Sequence, residues 1–182
     1  MKNSFLNWLF VILTLACANS FGNNIAVSNV RIDDQVVADQ YVMIEFDLSW
    51  ENSWRTSAVP QNWDAAWVFI KFKVIGGEWQ HAYVHEDGHI APYNAIIDVP
   101  ADTAGVFIYR NSDGYGNNNW YNINLRWDYG EQGINDDATV EVKVFAIEMV
   151  YIPEGAFYLG DSTSLSRYHE GSGNKSFYNV TS

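Results

Sequence analysis

The chain has 182 residues, with 10 Lys and Arg against 22 Asp and Glu, so that its formal net charge is −12. This acidic balance disfavours binding to nucleic acid or to an anionic membrane through a basic surface. Hydrophobic residues make up 48% of the chain and aromatic residues 16%, which is too rich for a disordered protein and sufficient for one domain with its own core.

Residues 1–18 have the pattern of a secretory leader. Lys2 supplies a positive start, Phe5 to Ala16 is mainly apolar and too short to span a bilayer, and Ala16-Cys17-Ala18 fits the small-x-small cleavage pattern. We expect cleavage after Ala18 and a secreted, periplasmic or cell-surface protein. The alternative is a lipoprotein anchored through Cys17, the only cysteine. Cleavage after Ala18 leaves no cysteine for a disulfide or a nucleophile.

From Asn24 onward the hydrophobic period is that of β-strands. The clearest alternations cover residues 42–50, 68–74, 121–127 and 140–144, and weaker candidates cover 25–32, 78–85, 95–99 and 106–110. With Gly, Asn, Asp and Pro clusters between them, they predict an all-β fold: an antiparallel β-sandwich of about eight strands, Ig-like or jelly-roll-like, over residues 19–147. Two long polar-aromatic segments, 51–65 and 111–119, are expected to be loops.

Two groups of residues invite a metal-binding interpretation. His81, His85 and His89 recur every four residues, but on a strand His81 and His85 lie about 13 Å apart and cannot share one metal. Among the acidic turns, Asp113 and Asn117 are the best candidates for calcium ligands, although no recognised calcium-loop spacing is present. The alternative is that tight turns require these residue types.

Aromatic residues suggest a binding surface. Trp54, Trp63 and Tyr115 fall in the expected loops, and strand parity places Trp120 on the polar face of its strand. Aromatic rings can stack on sugar rings, seal an adjoining domain or simply pack within the fold. These four residues are therefore candidates for binding a glycan or a protein partner.

The segment around Pro153 resembles the opening of a known enzyme family. It reads Glu148-Met149-Val150-Tyr151-Ile152-Pro153-Glu154-Gly155-Ala156-Phe157-Tyr158-Leu159-Gly160. It is similar to the first strands of the formylglycine-generating enzymes (sulfatase-modifying factors) at Met149, Val150, Ile152, Pro153, Gly155, Phe157 and Gly160, with Leu159 where the family usually has Met. The resemblance implies that residues 148–182 are the start of such a module, a short β-hairpin, preceded by an accessory domain.

The same resemblance implies that this chain is catalytically incomplete. The family acts through a cysteine pair and bound copper near the far end of a much longer module, and those positions do not occur here. No catalytic residue and no cofactor is therefore carried over. The alternative function is a stand-alone extracellular glycan- or protein-binding sandwich whose C-terminal hairpin completes its own sheet.

Overall fold

The computed structural model describes residues 23–151, 155, 157–159 and 178–180. The predicted leader, with Cys17 and the cleavage position, lies outside the described residues. Ile152, Pro153 and Glu154 of the predicted hairpin and the polar segment 161–175 also lie outside them.

The described residues form ten β-strands and one 3-10 turn, Tyr129–Gln132, and none of them is in an α-helix. The strands are β1 (Ala26–Val36), β2 (Tyr41–Thr56), β3 (Asn62–Val74), β4 (Gln80–Ala82), β5 (Ala95–Asp98), β6 (Val106–Arg110), β7 (Gly114–Trp127), β8 (Val140–Tyr151), β9 (Phe157–Leu159) and β10 (Tyr178–Val180). The all-β prediction is confirmed, since the first eight strands form one antiparallel sheet. Within the described part of the chain, no helix has the length and hydropathy that a membrane span requires.

The sheet is one strongly curled open sheet, a half-barrel, rather than two separate sheets. β2 pairs with β1 and β7 along most of its length, but with β3 only at its end, where Arg55 lies opposite Trp63. β3 then pairs with β8 on one side and with β6 and β4 on the other. The β2–β3 corner therefore joins two halves by continuous hydrogen bonding, which a clear sandwich would lack.

The core lies between the two halves. Ile44 and Phe46 of β2 and Ile70 and Phe72 of β3 are fully buried, as their alternation with polar residues predicts. The Phe72 ring lies 4.6 Å from that of Trp127 on β7, so the two halves meet through aromatic packing.

The two segments expected to be loops are mostly strand. β2 continues to Thr56, β3 starts at Asn62, and β7 starts at Gly114. Residues 57–61 are thus the whole β2–β3 connection. The loop prediction was wrong because polar and glycine residues here belong to long ladders with bulges, such as that at Asn52, whose φ is 56°.

A second bulge reverses the predicted parity of Trp120. Between Ile123 and Trp120 the ladder advances three residues on β7 but only two on β2. Asn122, inside this bulge, has a φ of 54°. Trp120 is consequently 2% exposed and Tyr121 65% exposed. The placement of Trp120 on the polar face was wrong, because a period of two does not reveal a one-residue insertion.

The predicted C-terminal hairpin is paired differently. Tyr151 lies opposite Trp63 and Met149 opposite Ala65, so these residues end β8 and pair with β3. β9 pairs with β10 instead. The predicted pairing of Met149–Tyr151 with Phe157–Leu159 was wrong, because β3 is long enough to supply their partners. The predicted boundary between residues 147 and 148 falls inside β8, and the division into two modules stays a prediction.

Candidate binding cleft on the apolar face

The outward surface of β3, β6 and β8 carries large apolar side chains, which together we call the apolar face. Phe145, Ile147, Met149 and Tyr151 of β8 are each between 42% and 50% exposed. These four side chains alone expose on the order of 400 Å², which reaches the range of functional patches on monomers. The other members are Trp63, Trp67 and Phe69 of β3 and Phe107 and Tyr109 of β6.

A cleft of about 520 Å³ opens at one end of this face. Among the described residues of its lining Asp98 is the one charged side chain, and the others are Trp63, Ala65, Phe107, Tyr109, Met149, Val150 and Tyr151. This size and apolar character suit an apolar ligand or the side chains of a protein.

Trp63 is the central side chain of the cleft. Its ring stacks on Tyr151 with 4.3 Å between centroids and 12° between planes. The Arg55 guanidinium lies 5.2 Å from the Trp63 centroid and 5.4 Å from that of Tyr109, and it donates to the Arg110 carbonyl at 2.6 Å. Burial, and then the Asp98 carboxylate, raise the pKa of Tyr109. Trp63 is thus packed between Tyr151 and Arg55, and Tyr109 is neutral.

Ring faces on the apolar face are largely used by neighbouring rings. Phe69 stacks on Phe145 at 5.2 Å and 13°, and Trp67 lies 4.8 Å from Phe107. A pyranose ring needs a free aromatic face, whereas an apolar side chain also packs against ring edges. The arrangement therefore favours an apolar protein surface over a glycan.

A buried carboxylate supports the cleft from the inner side of β3. Asp64, which follows Trp63, is 0% exposed and accepts hydrogen bonds from Trp50 Nε1 at 2.5 Å, Ser53 Oγ at 2.8 Å and Trp54 N at 3.0 Å. A buried carboxylate is tolerated only when donors satisfy it in this way. The network holds the β2–β3 corner, and hence Trp63, in place.

The outward surface of the other half is polar. Arg31 pairs with the nearly buried Glu45, and Asp47 accepts hydrogen bonds from Asn122 N at 2.9 Å and Asn29 Nδ2 at 2.6 Å. The Asn122 and Asn29 bonds lower the pKa of Asp47. One half thus has a polar outer surface and the other an apolar one.

Of the four predicted aromatic candidates, the structure brings only Trp63 into the cleft. Trp54 lies opposite Tyr115 on the β2–β7 ladder, and its Nε1 donates to Asn62 Oδ1 at 2.7 Å. Tyr115 is 81% exposed, and Trp120 belongs to the core.

The calcium candidates are engaged in separate structural bonds. Asp113 Oδ2 accepts hydrogen bonds from the hydroxyl of Ser57 at 2.6 Å and from its backbone N–H at 3.0 Å, and these bonds lower the pKa of Asp113. Asn117 Oδ1 accepts from Asn52 N at 3.2 Å. Among the described residues no group of three or more His, Cys, Asp or Glu side chains is placed to hold a metal ion.

Sequence reasoning missed the residues that β6 and β8 contribute to the cleft. A signal was present in the run from Phe145 to Tyr151, where Glu148 is the only charged residue. Such a run is typical of a strand covered on both faces. Phe107 and Tyr109 had no comparable signal, because their position beside β3 depends on a non-local pairing.

Comparisons of the chain with family models, with curated proteins and with solved structures gave no match.

Proposed function

We propose that this chain is an exported accessory β domain that binds, through its apolar face, an adjoining module similar to the formylglycine-generating enzymes. Residues 148–160 resemble the opening of that module. The domain acts as a non-catalytic partner. The domain is a curled sheet whose two halves enclose one core, in place of the Ig-like or jelly-roll-like β-sandwich that the sequence predicts. Export is proposed from the leader pattern of residues 1–18.

The course of β8 carries this proposal. Met149 and Val150 match the first strand of the enzyme module. Together with Tyr151, which follows them, they line the cleft and complete the β3–β8 ladder. A module that continues from Tyr151 therefore starts on the apolar face. Association with that face removes half-exposed aromatic and aliphatic side chains from water, at about 25 cal/mol per Å² of apolar surface.

The alternative of a stand-alone binding module uses the same surface. The stacked rings disfavour a glycan as its ligand, so its partner is a separate protein with an apolar surface. The proposed function differs from this alternative in one respect, namely that the partner is encoded in the same reading frame.

The coding DNA downstream of Ser182 tests the proposal. We expect the frame to continue through a long Trp- and Gly-rich segment. A module expressed from Ile152 onward should then bind a chain that ends at Tyr151, and Phe107→Asp should weaken this binding at least about tenfold. A natural stop codon directly after Ser182 would favour the stand-alone alternative.

A further inference from the structure

We infer that the cleft is filled in cis by the chain's own hairpin of β9 and β10. This inference rests on the proposed function and deepens it, because it names the part of the adjoining segment that contacts the apolar face first.

The register of the hairpin gives it one apolar side. Phe157 lies opposite Val180, and Leu159 lies opposite Tyr178. Because residues two apart share a side of a β-ladder, the register assigns these four positions to one side of the ladder and the position of Tyr158 to the other. None of the six residues of β9 and β10 is charged. In a chain with many acidic residues, this hairpin can therefore enter an apolar cleft without burying a charge.

Such a hairpin needs a partner surface. Each strand has three residues, and an isolated two-stranded hairpin is at best marginally stable in water. The cleft in turn has apolar side chains that need covering, since Met149 and Tyr151 on its wall remain 45% and 46% exposed. Docking the apolar side of the hairpin into the cleft covers both surfaces.

The tether makes this chain's own hairpin the favoured occupant. β8 ends at Tyr151, on the wall of the cleft, and β9 begins at Phe157. The six steps between them reach at most about 20 Å, so the hairpin is confined near the cleft at an effective concentration of about a millimolar. A second copy present at micromolar concentration competes poorly with such a tethered segment.

Amide hydrogen exchange of the mature chain, from Asn19 to Ser182, tests the inference. We expect peptides covering β9 and β10 to exchange at least about tenfold more slowly than an unfolded chain, at every protein concentration. Met149→Asp in the cleft wall should abolish this protection. Tyr121→Asp is the matched control, because Tyr121 is also exposed on a strand, but in the polar half, and it should leave the protection unchanged.

A second cleft variant and a second readout separate docking from general unfolding. Phe107→Ser removes a ring contributed by β6 and should release the hairpin while the amides of β2 and β3 stay protected. A wild-type hairpin that exchanges at the unfolded rate would overturn the inference. Protection that survives both cleft variants, or that appears only together with a dimer in light scattering, would also overturn it.

The outcome is distinguishable from failure of the proposed function. If a stop codon follows Ser182 but the hairpin is protected in a way that depends on the cleft, the proposed enzyme module is refuted and the docked hairpin is supported. An unprotected hairpin in a chain whose reading frame continues would remove the docked hairpin alone.

Discussion

Trp50 and Trp120 form a matched pair at the centre of the core. Their rings pack edge to face at 4.9 Å and 87°, and they are 1% and 2% exposed. They differ in the indole N–H. That of Trp50 donates to Asp64 Oδ2 at 2.5 Å, whereas no acceptor in the described residues lies within hydrogen-bond distance of Trp120 Nε1.

The same substitution should therefore have different costs at the two positions. Trp50→Phe leaves a buried Asp64 carboxylate without one donor, and we expect it to lower the free energy of unfolding by about 1 to 3 kcal/mol more than Trp120→Phe does. Trp120→Ala should cost about 3 to 5 kcal/mol, because it opens a cavity. Urea denaturation of the mature proteins measures all three. Equal costs for the two Phe variants would contradict the role assigned to Asp64.

His89 is held as a neutral imidazole by two backbone groups. The backbone N–H of Arg126 donates to His89 Nδ1 at 3.0 Å, and His89 Nε2 lies 2.9 Å from the His85 carbonyl. Burial lowers the pKa of His89 below its usual value of 6.5. A proton on Nδ1 would also remove the acceptor for Arg126 N.

Stability should accordingly fall as the solution becomes mildly acidic. Because the pKa of His89 is lower in the folded chain, the unfolded chain binds more proton at His89 as the pH falls through about 6.5, and the free energy of unfolding decreases there. Carboxylates with a lowered pKa, such as Asp47, respond only below about pH 4. His89→Gln should flatten the decrease in this window, as measured by the dependence of Tm on pH. An unchanged pH profile would show that another group is responsible.

Strand β8 combines two kinds of hydrophobic pattern. Its first half alternates inward valines with outward Glu141 and Lys143, whereas the outward residues of its second half are all apolar. The change occurs opposite the segment of β3 whose outward residues include Trp67 and Trp63, whereas the outward residues nearer the other end of β3 are lysines. Residues 148–151 are thus integral to the curled sheet, whatever module follows them.

Two truncations separate the end of β8 from the segment that follows. A chain that ends at Tyr151 keeps the ladder opposite residues 63–66, whereas a chain that ends at Ile147 loses it. We expect the shorter chain to have a Tm lower by about 5 °C or more, because ladder hydrogen bonds and the Tyr151–Trp63 stack are lost. Thermal unfolding by circular dichroism measures the difference. Equal Tm values would mean that residues 148–151 do not stabilise the half-barrel.

Strands were predictable from the sequence where one face is buried and the pattern is uninterrupted. Residues 42–50 and 68–74 lie within β2 and β3 as expected. The bulges at Asn52 and Asn122 were not predictable, because each is a one-residue shift that is defined by the partner strand. They account for the expected loop at 51–65 and for the misplaced Trp120.

The two outer surfaces of the molecule have different chemistry. The β1–β2–β7 half carries ion pairs and amide hydrogen bonds such as Arg31–Glu45, while the β3–β6–β8 half carries the apolar face. The sequence identified one residue of the cleft, Trp63, because it is a tryptophan in a polar context. The other walls come from β5, β6 and β8, and only the curled topology brings these distant segments together.

The whole chain should lack formylglycine-generating activity. In the enzymes that residues 148–160 resemble, a cysteine pair carries the reaction, and this sequence has a single cysteine, Cys17, within the predicted leader. We therefore expect purified mature chain, with or without copper, to leave cysteine unconverted in a sulfatase-type peptide, as followed by mass spectrometry. A complete enzyme of that family serves as the positive control. Formylglycine produced by a preparation whose mass matches the mature chain would contradict the non-catalytic role.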